Sequence, residues 1–209
     1  LVDRFPHDTP TDPAAVPSAV ETYRRLLADQ PDGSVRVVSV GFMQNLAGLL
    51  ASGPDAHSPL GGRALVAQKV DELVIMGGHY PSSDNDLYLA GGREMGPSYA
   101  IEVIETWPTR TVFNTGPVCQ AVTNGQTLAA ATPESNPVRA AYTLFFGEEG
   151  RGRTSWDLCS VLYAVRGASG PEGDYFELRT DEHLTLDETG YNAWVAPGND
   201  RHVRLTRTM

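Results

Sequence analysis

The sequence predicts an α/β protein with a mostly parallel sheet, helices on both faces of that sheet, and a short antiparallel β-rich part at the C-terminal end. Between residues 17 and 167, short β-branched segments alternate with amphipathic helical segments, which is typical of βαβ units. Leu73 to Met76 are apolar throughout, as expected of a parallel strand that is buried on both faces. Beyond Gly167 the segments are short, β-rich and separated by turn residues, which predicts hairpins packed on the α/β body.

The helices are predicted from apolar residues at helical spacing and from the residues that begin and end each segment. In the first helix Val20, Tyr23, Leu26 and Leu27 share one face, and Pro31-Asp32-Gly33 ends it. Asn45 is the predicted N-cap of the second helix. The predicted helices occupy residues 17–30, 45–52, 61–70, 97–107, 136–147 and 155–167.

The strands are predicted from short β-branched or aromatic segments bounded by turn residues. Three belong to the parallel sheet and four to the C-terminal part, and no linker separates the two groups. The whole chain, residues 1–209, is therefore predicted to be a single domain. The predicted strands occupy residues 34–41, 73–76, 109–114, 174–180, 183–188, 191–196 and 201–206.

Composition limits the classes of partner and of location. The net charge is −10, which argues against nucleic acid and anionic membranes because both reward clustered cations. No apolar segment approaches the roughly 20 residues that span a bilayer, and no signal peptide is evident, so a cytoplasmic location is favoured. Cys119 and Cys159, too few for a disulfide framework, are expected to be reduced and buried.

Three strand-end loops are predicted to form a small-molecule pocket, because ligands of open parallel sheets bind at the carboxyl ends of the strands. The loops are "GFMQNLA", "GGHYPSSDND" and "NTGPVCQ". His79 in the second loop is either a general acid or a loop histidine bonded to backbone. Asp84 and Asp86 either bind a hard cation or are solvated. Asp157 either favours the positive end of its helix or points at a metal or sugar.

Three segments of the chain resemble a known family. "VRVVSVGFMQNLAGLL", "ELVIMGG" and "SWDLCSVLYAVRG" are similar, in this order and spacing, to segments of the nucleoside hydrolases, the inosine–uridine-preferring N-ribohydrolases. The resemblance extends over about residues 5 to 206. It implies a nucleoside-hydrolase-like fold and a calcium-dependent cleavage of the N-glycosidic bond of ribonucleosides, in which the metal delivers a water and holds the ribose.

The resemblance also implies roles for individual residues. Asp157 matches a metal-binding aspartate, with Trp156 before it, and Gln44 stands where a backbone carbonyl binds the metal. Asn45 is retained, Asp86 stands near a ribose-binding glutamate, and Tyr88 replaces its partner asparagine. The family's D-T-D-x-x-x-D-D segment has no counterpart, so the domain resembles an N-terminally truncated member. Calcium takes about 6 to 8 oxygen ligands. Calcium is therefore disfavoured, and no cofactor is predicted.

The sequence thus predicts a repurposed enzyme that acts on a glycoside- or nucleoside-like small molecule without the full calcium site. The alternatives are a catalytically inactive binding module, or part of an ordinary N-ribohydrolase completed by a further N-terminal segment. A homo-oligomer or a partner chain is expected to cover the edge of the sheet. The predicted site comprises His79, Asp86 and Asp157 as catalytic residues, Asn45, Tyr80, Tyr88 and Trp156 as substrate-binding residues, and Asp157 with Gln44 as a weak metal site.

Overall fold

A computed structural model of the chain describes residues 1, 3–83, 86, 88–91, 96–171 and 173–207. Within these residues a short 3₁₀ helix lies at Pro13–Ala15. The α-helices are α1 Ala19–Ala28, α2 Gln44–Ala51, α3 Gly62–Lys69, α4 Ser98–Thr106, α5 Leu128–Ala131, α6 Pro137–Phe146 and α7 Trp156–Arg166. The strands are β1 Val35–Ser39, β2 Val70–Met76, β3 Ser82–Ser83, β4 Arg110–Asn114, β5 Thr123–Asn124, β6 Arg153–Thr154, β7 Ser169–Gly170, β8 Gly173–Asp174, β9 Phe176–Arg179, β10 His183–Leu186, β11 Asn192–Val195 and β12 His202–Arg207.

The described residues group into two units by their contacts. The larger unit comprises residues 18–118 and 156–209, and its main sheet has the strand order β1-β2-β4-β12-β9. The first four strands are parallel, and β9 is antiparallel to β12 at one edge. This mostly parallel sheet, together with its helices and short antiparallel strands, confirms the predicted fold class.

The buried side chains of β2 explain why this strand lies inside the sheet. Leu73, Val74 and Ile75 are completely buried, as expected where both faces of a parallel sheet are covered. Helices α1 to α4 contact one another and enclose an apolar core, in which Trp107 is almost fully buried. Helix α7 packs against β1, β2 and β4.

The C-terminal part consists only partly of the predicted hairpins. Strands β10 and β11 form the expected hairpin, and β11 also pairs with β3. Strand β12 instead enters the main sheet parallel to β4, and β9 joins beside it. The burial of Val203 and Leu205 accounts for this, because an apolar strand gains more in the covered sheet than on its surface.

The smaller unit comprises residues 1–17 and 119–155. Helix α6 begins at Asn136, whose side chain accepts hydrogen bonds from the N–H groups of Val138 and Arg139. The helix ends at Gly147, which has the left-handed backbone (φ 74°) that favours glycine. The short strands β5 and β6 pair antiparallel in the same unit.

Several local predictions are wrong in detail. The N-cap of α2 is Met43 and makes no side-chain cap, while Asn45 is the second residue of the helix and is exposed. Leu26 is 48% exposed, whereas Arg24 and Leu27 of the same helix are buried, and the Arg24 guanidinium bonds to polar partners.

The prediction of reduced cysteines is also wrong. Both cysteines are buried, but both are disulfide-bonded and neither is a free thiol. Whether thiols bond depends on the distance between their Cβ atoms in the folded chain, which the sequence does not show. Such bonds persist mainly in oxidising compartments.

Two predictions concern surfaces. Strand β1 pairs with β2 and with no other strand of the described residues, so it lies at a sheet edge, as expected. A homo-oligomer or partner chain at this edge stays a prediction. No helix within the described part of the chain has the length and apolar character required to cross a bilayer.

Candidate functional site

The carboxyl ends of β1, β2 and β4 lie at the same edge of the sheet because these strands are parallel. Two of the loops that follow are joined by backbone hydrogen bonds. The Gly116 N–H donates to the Gly78 carbonyl oxygen (2.9 Å), and the Gly77 N–H donates to the Asn114 carbonyl oxygen (3.2 Å). The loops after β2 and β4 therefore form one connected surface.

His79 occupies this surface between an aspartate and a glycine. Its Nδ1 lies 3.8 Å from Oδ2 of Asp86, and this nitrogen is buried and makes no hydrogen bond. The side chain as a whole is 41% exposed, so the ring reaches solvent while Nδ1 faces inward. A Cβ on Gly116 would lie 2.9 Å from Nε2, which is closer than side-chain atoms pack. Glycine is therefore required at residue 116 for this position of the imidazole.

Asp86 holds the loop that follows His79. One carboxylate oxygen accepts from the Gly78 N–H (2.7 Å), and the other accepts from the N–H groups of Tyr88 (3.1 Å) and Leu89 (2.8 Å). The residue is only 6% exposed. Its carboxylate therefore stabilises the local backbone, whereas the resemblance implied a carboxylate that faces a ribose.

The backbone of His79 is bound by a residue that sequence reasoning missed. Asn192 at the start of β11 is completely buried, and its side chain bonds to both polar groups of the His79 main chain. The only signal in the sequence is an amide two residues before Trp194 in a short strand, on the same face as that buried ring.

Tyr80 lies at the outer side of the same loop. It is 43% exposed, and the guanidinium carbon of Arg204 lies 3.6 Å from the centre of its ring. Arg204 also forms an ion pair with Glu182 at 3.3 Å. This cation–π contact fixes one face of the ring, so only the other face and the hydroxyl are available to a ligand.

Tyr88 and Trp156 contact neighbouring loops. The ring of Tyr88 lies 5.6 Å from that of Phe42, which belongs to the loop after β1. The Trp156 carbonyl accepts from the side-chain amide of Asn114 (2.8 Å), and the same amide donates to Ser160 (2.9 Å). These contacts link the loop after β1 to Tyr88 and join the beginning of α7 to the end of β4.

The other predicted residues lie at the beginnings of α7 and α2. Asp157 is exposed in the first turn of α7, where a carboxylate is favoured by the helix dipole. Gln44 begins α2, so its carbonyl oxygen points along the helix toward the residue four positions ahead. Asn45 is exposed beside it. Asp84 lies outside the described residues.

The contacts of the Asp86 carboxylate leave it little free capacity for a calcium ion. The Asp86 oxygens already accept backbone N–H groups, and a calcium ion requires about 6 to 8 oxygen ligands. Within the described ranges, no three His, Cys, Asp or Glu side chains form a group that can hold a metal ion. That the chain binds calcium poorly stays a prediction, and no step of the proposed reaction depends on a metal.

A second group of titratable residues lies at the opposite ends of the strands. Burial raises the pKa of Glu72 near the start of β2, although Arg36 and Arg110 lie within 3.3 and 3.7 Å of its carboxylate. Burial likewise raises the pKa of Tyr163, whose hydroxyl faces Glu72. This group joins α7 to the sheet and has no glycine-rich loop, so we interpret it as structural.

Comparison with known proteins supports the fold. No protein-family model and no curated protein matches the sequence. Among solved structures the chain is similar to a plant nucleoside hydrolase, the PpNRh1 enzyme, with a TM-score of 0.53 and 13% sequence identity over 98% of this chain and 64% of the plant chain. This chain therefore spans less than two thirds of the plant enzyme's length. At this identity the similarity shows the fold alone, which is nucleoside-hydrolase-like.

Proposed function

We propose that the protein is a hydrolase that acts on a glycoside- or nucleoside-like small molecule, with His79 as the group that transfers the proton. The observation that carries the proposal is the placement of His79 at the carboxyl end of a parallel sheet, with Nδ1 facing the Asp86 carboxylate at 3.8 Å. The similarity to a nucleoside hydrolase fold supports the class of substrate.

The chemistry follows from the two faces of the imidazole. A carboxylate beside Nδ1 favours the tautomer with its proton on that nitrogen, which leaves the lone pair on Nε2. Nε2 lies against Gly116, where the absence of a side chain makes room for the ring, and the His79 side chain is 41% exposed, so a ligand can reach it from solvent. A protonated Nε2 would donate its proton to the departing base or alcohol, water would add hydroxide to the sugar carbon, and the remaining proton of that water would return to Nε2.

The direct test is release of the free base or aglycone from a panel of ribonucleosides and aryl glycosides. We expect His79→Gln to lower the rate by about 100-fold or more, the usual contribution of a general acid–base group. His57→Gln is the matched control, because His57 is exposed and lies in the loop between α2 and α3. Equal rates in the wild type and His79→Gln would refute the role of His79.

A binding module without catalysis is the second candidate, and one observation favours it. The Asp86 carboxylate is committed to three backbone N–H groups. It is therefore less available to a substrate than a catalytic carboxylate would be. Binding of a nucleoside or sugar by calorimetry, with no release of product over days, would favour this candidate.

A further inference from the structure

Asn192 makes a two-point contact with the main chain of His79. The His79 N–H donates to Asn192 Oδ1 (3.1 Å), and Asn192 Nδ2 donates to the His79 carbonyl oxygen (2.8 Å). Asn192 is completely buried, so water does not compete for these bonds. One side chain therefore satisfies both polar groups of one residue.

This contact replaces strand pairing at the place where the strands stop. Strand β2 ends at Met76 and β3 begins at Ser82, so His79 lies between them. After His79, the backbone is held by the Trp194 N–H, which donates to the Pro81 carbonyl (3.0 Å), and then by the pairing of β3 with β11. At His79 itself the amide of Asn192 supplies the donor and the acceptor that a neighbouring strand would supply.

The bonds on either side of His79 make its position definite. Before it, the Gly78 N–H is bound by Asp86, and the Gly78 carbonyl is bound by the Gly116 N–H. With Asn192 on His79 itself, both peptide groups that flank the His79 Cα are held by other segments. A side chain on a fixed Cα has few rotamers, and here one of them faces Asp86 on one side and Gly116 on the other.

We propose that Asn192 is a positioning residue that holds the His79 imidazole between Asp86 and Gly116. Its importance for catalysis rests on the proposed function, whereas its effect on the position of the ring does not. Asparagine suits this role because it carries a donor and an acceptor on one short side chain. Aspartate lacks the donor, and alanine lacks both.

The test follows the ring by nuclear magnetic resonance. In the wild type, we expect nuclear Overhauser contacts between the His79 ring protons and the Gly116 Hα protons, because Nε2 lies against Gly116. Asn192→Ala should weaken these contacts several-fold in folded protein. Thr185→Val is the matched control. The Thr185 hydroxyl in β10 bonds to the carbonyl of Ala193, the neighbour of Asn192 in β11, and does not touch His79. Unchanged contacts in Asn192→Ala would overturn the proposal.

Two further measurements separate this proposal from the proposed function. If the wild type releases product, Asn192→Ala should lower kcat on the order of 10- to 100-fold with little change in KM, because a displaced group loses orientation more than binding. If the wild type releases none, the proposed function fails while the ring contacts still test the positioning. Should Asn192→Ala not fold, hydrogen exchange of the wild-type His79 amide decides. Slow exchange is expected, and rapid exchange would refute the bond to Asn192.

Discussion

Replacement of Asp86 by asparagine tests the role that the structure gives this carboxylate. The change keeps the shape of the side chain and removes the charge and one acceptor. In the wild type, Oδ1 accepts from Tyr88 and Leu89 while Oδ2 accepts from Gly78. If the asparagine oxygen keeps the first two partners, its NH₂ group faces the Gly78 N–H, and two donors meet where a bond was.

The size of the effect follows from these contacts. An unsatisfied buried N–H costs about 1–3 kcal/mol, and the bonds that remain lose the strengthening that a charged acceptor gives. Because residue 86 is only 6% exposed, water cannot replace the lost acceptor. We expect the free energy of unfolding to fall by about 2–4 kcal/mol in total. For a chain of this size the melting temperature should fall by about 5–12 °C.

Urea denaturation followed by tryptophan fluorescence measures this free energy. The matched control is Asp181→Asn, since Asp181 is exposed in the turn before β10. We expect the control to change stability by less than about 0.5 kcal/mol. A loss below about 0.5 kcal/mol for Asp86→Asn, with the same urea dependence, would show that the carboxylate does not hold the loop.

Four further predictions follow. Arg24→Met should lower the free energy of unfolding by about 3 kcal/mol in urea denaturation. The reason is that Arg24 is 2% exposed and its guanidinium bonds to Asp55 and to the carbonyl oxygens of Ser58 and Leu60. A loss below about 1 kcal/mol would contradict this prediction. Burial lowers the pKa of His202 from 6.5 to about 4, so the unfolded chain binds the proton first. Stability should therefore fall by roughly 3 kcal/mol as pH falls from 6.5 to 4, and His202→Gln should show a flatter pH profile. Gly116→Ala should displace the His79 ring and lower any product release at least tenfold at nearly unchanged melting temperature. Calorimetric titration with calcium should detect no site tighter than about millimolar. A micromolar site would contradict the expectation that calcium binds poorly.

The fold was largely predictable because its main signals are local. The apolar run from Leu73 to Met76 predicted a strand buried on both faces, and β2 contains this run. The position of β12 was not predictable in the same way. Its sequence fits a hairpin strand as well as a parallel one, and only the space beside β4 decides between them.

The candidate site was predictable only where its signals are local as well. His79 was identified from a strand-end loop, which is a local pattern. Asn192 lies 113 positions further along the chain, so no spacing indicates that its amide reaches the His79 backbone. Asp86 was expected to face a ligand. The sequence does not show that backbone N–H groups converge on its carboxylate, because that depends on the turn in which the residue lies.

The most direct test of the central claim is a map of the histidine ring resonances while a ribonucleoside is added. The chain has five histidines, so the ring signals of His79 can be assigned by single substitution. We predict that the His79 ring signals shift with saturation and that those of His57 and His183 stay in place. Saturable shifts at other histidines with His79 unmoved would place the ligand elsewhere and contradict the account.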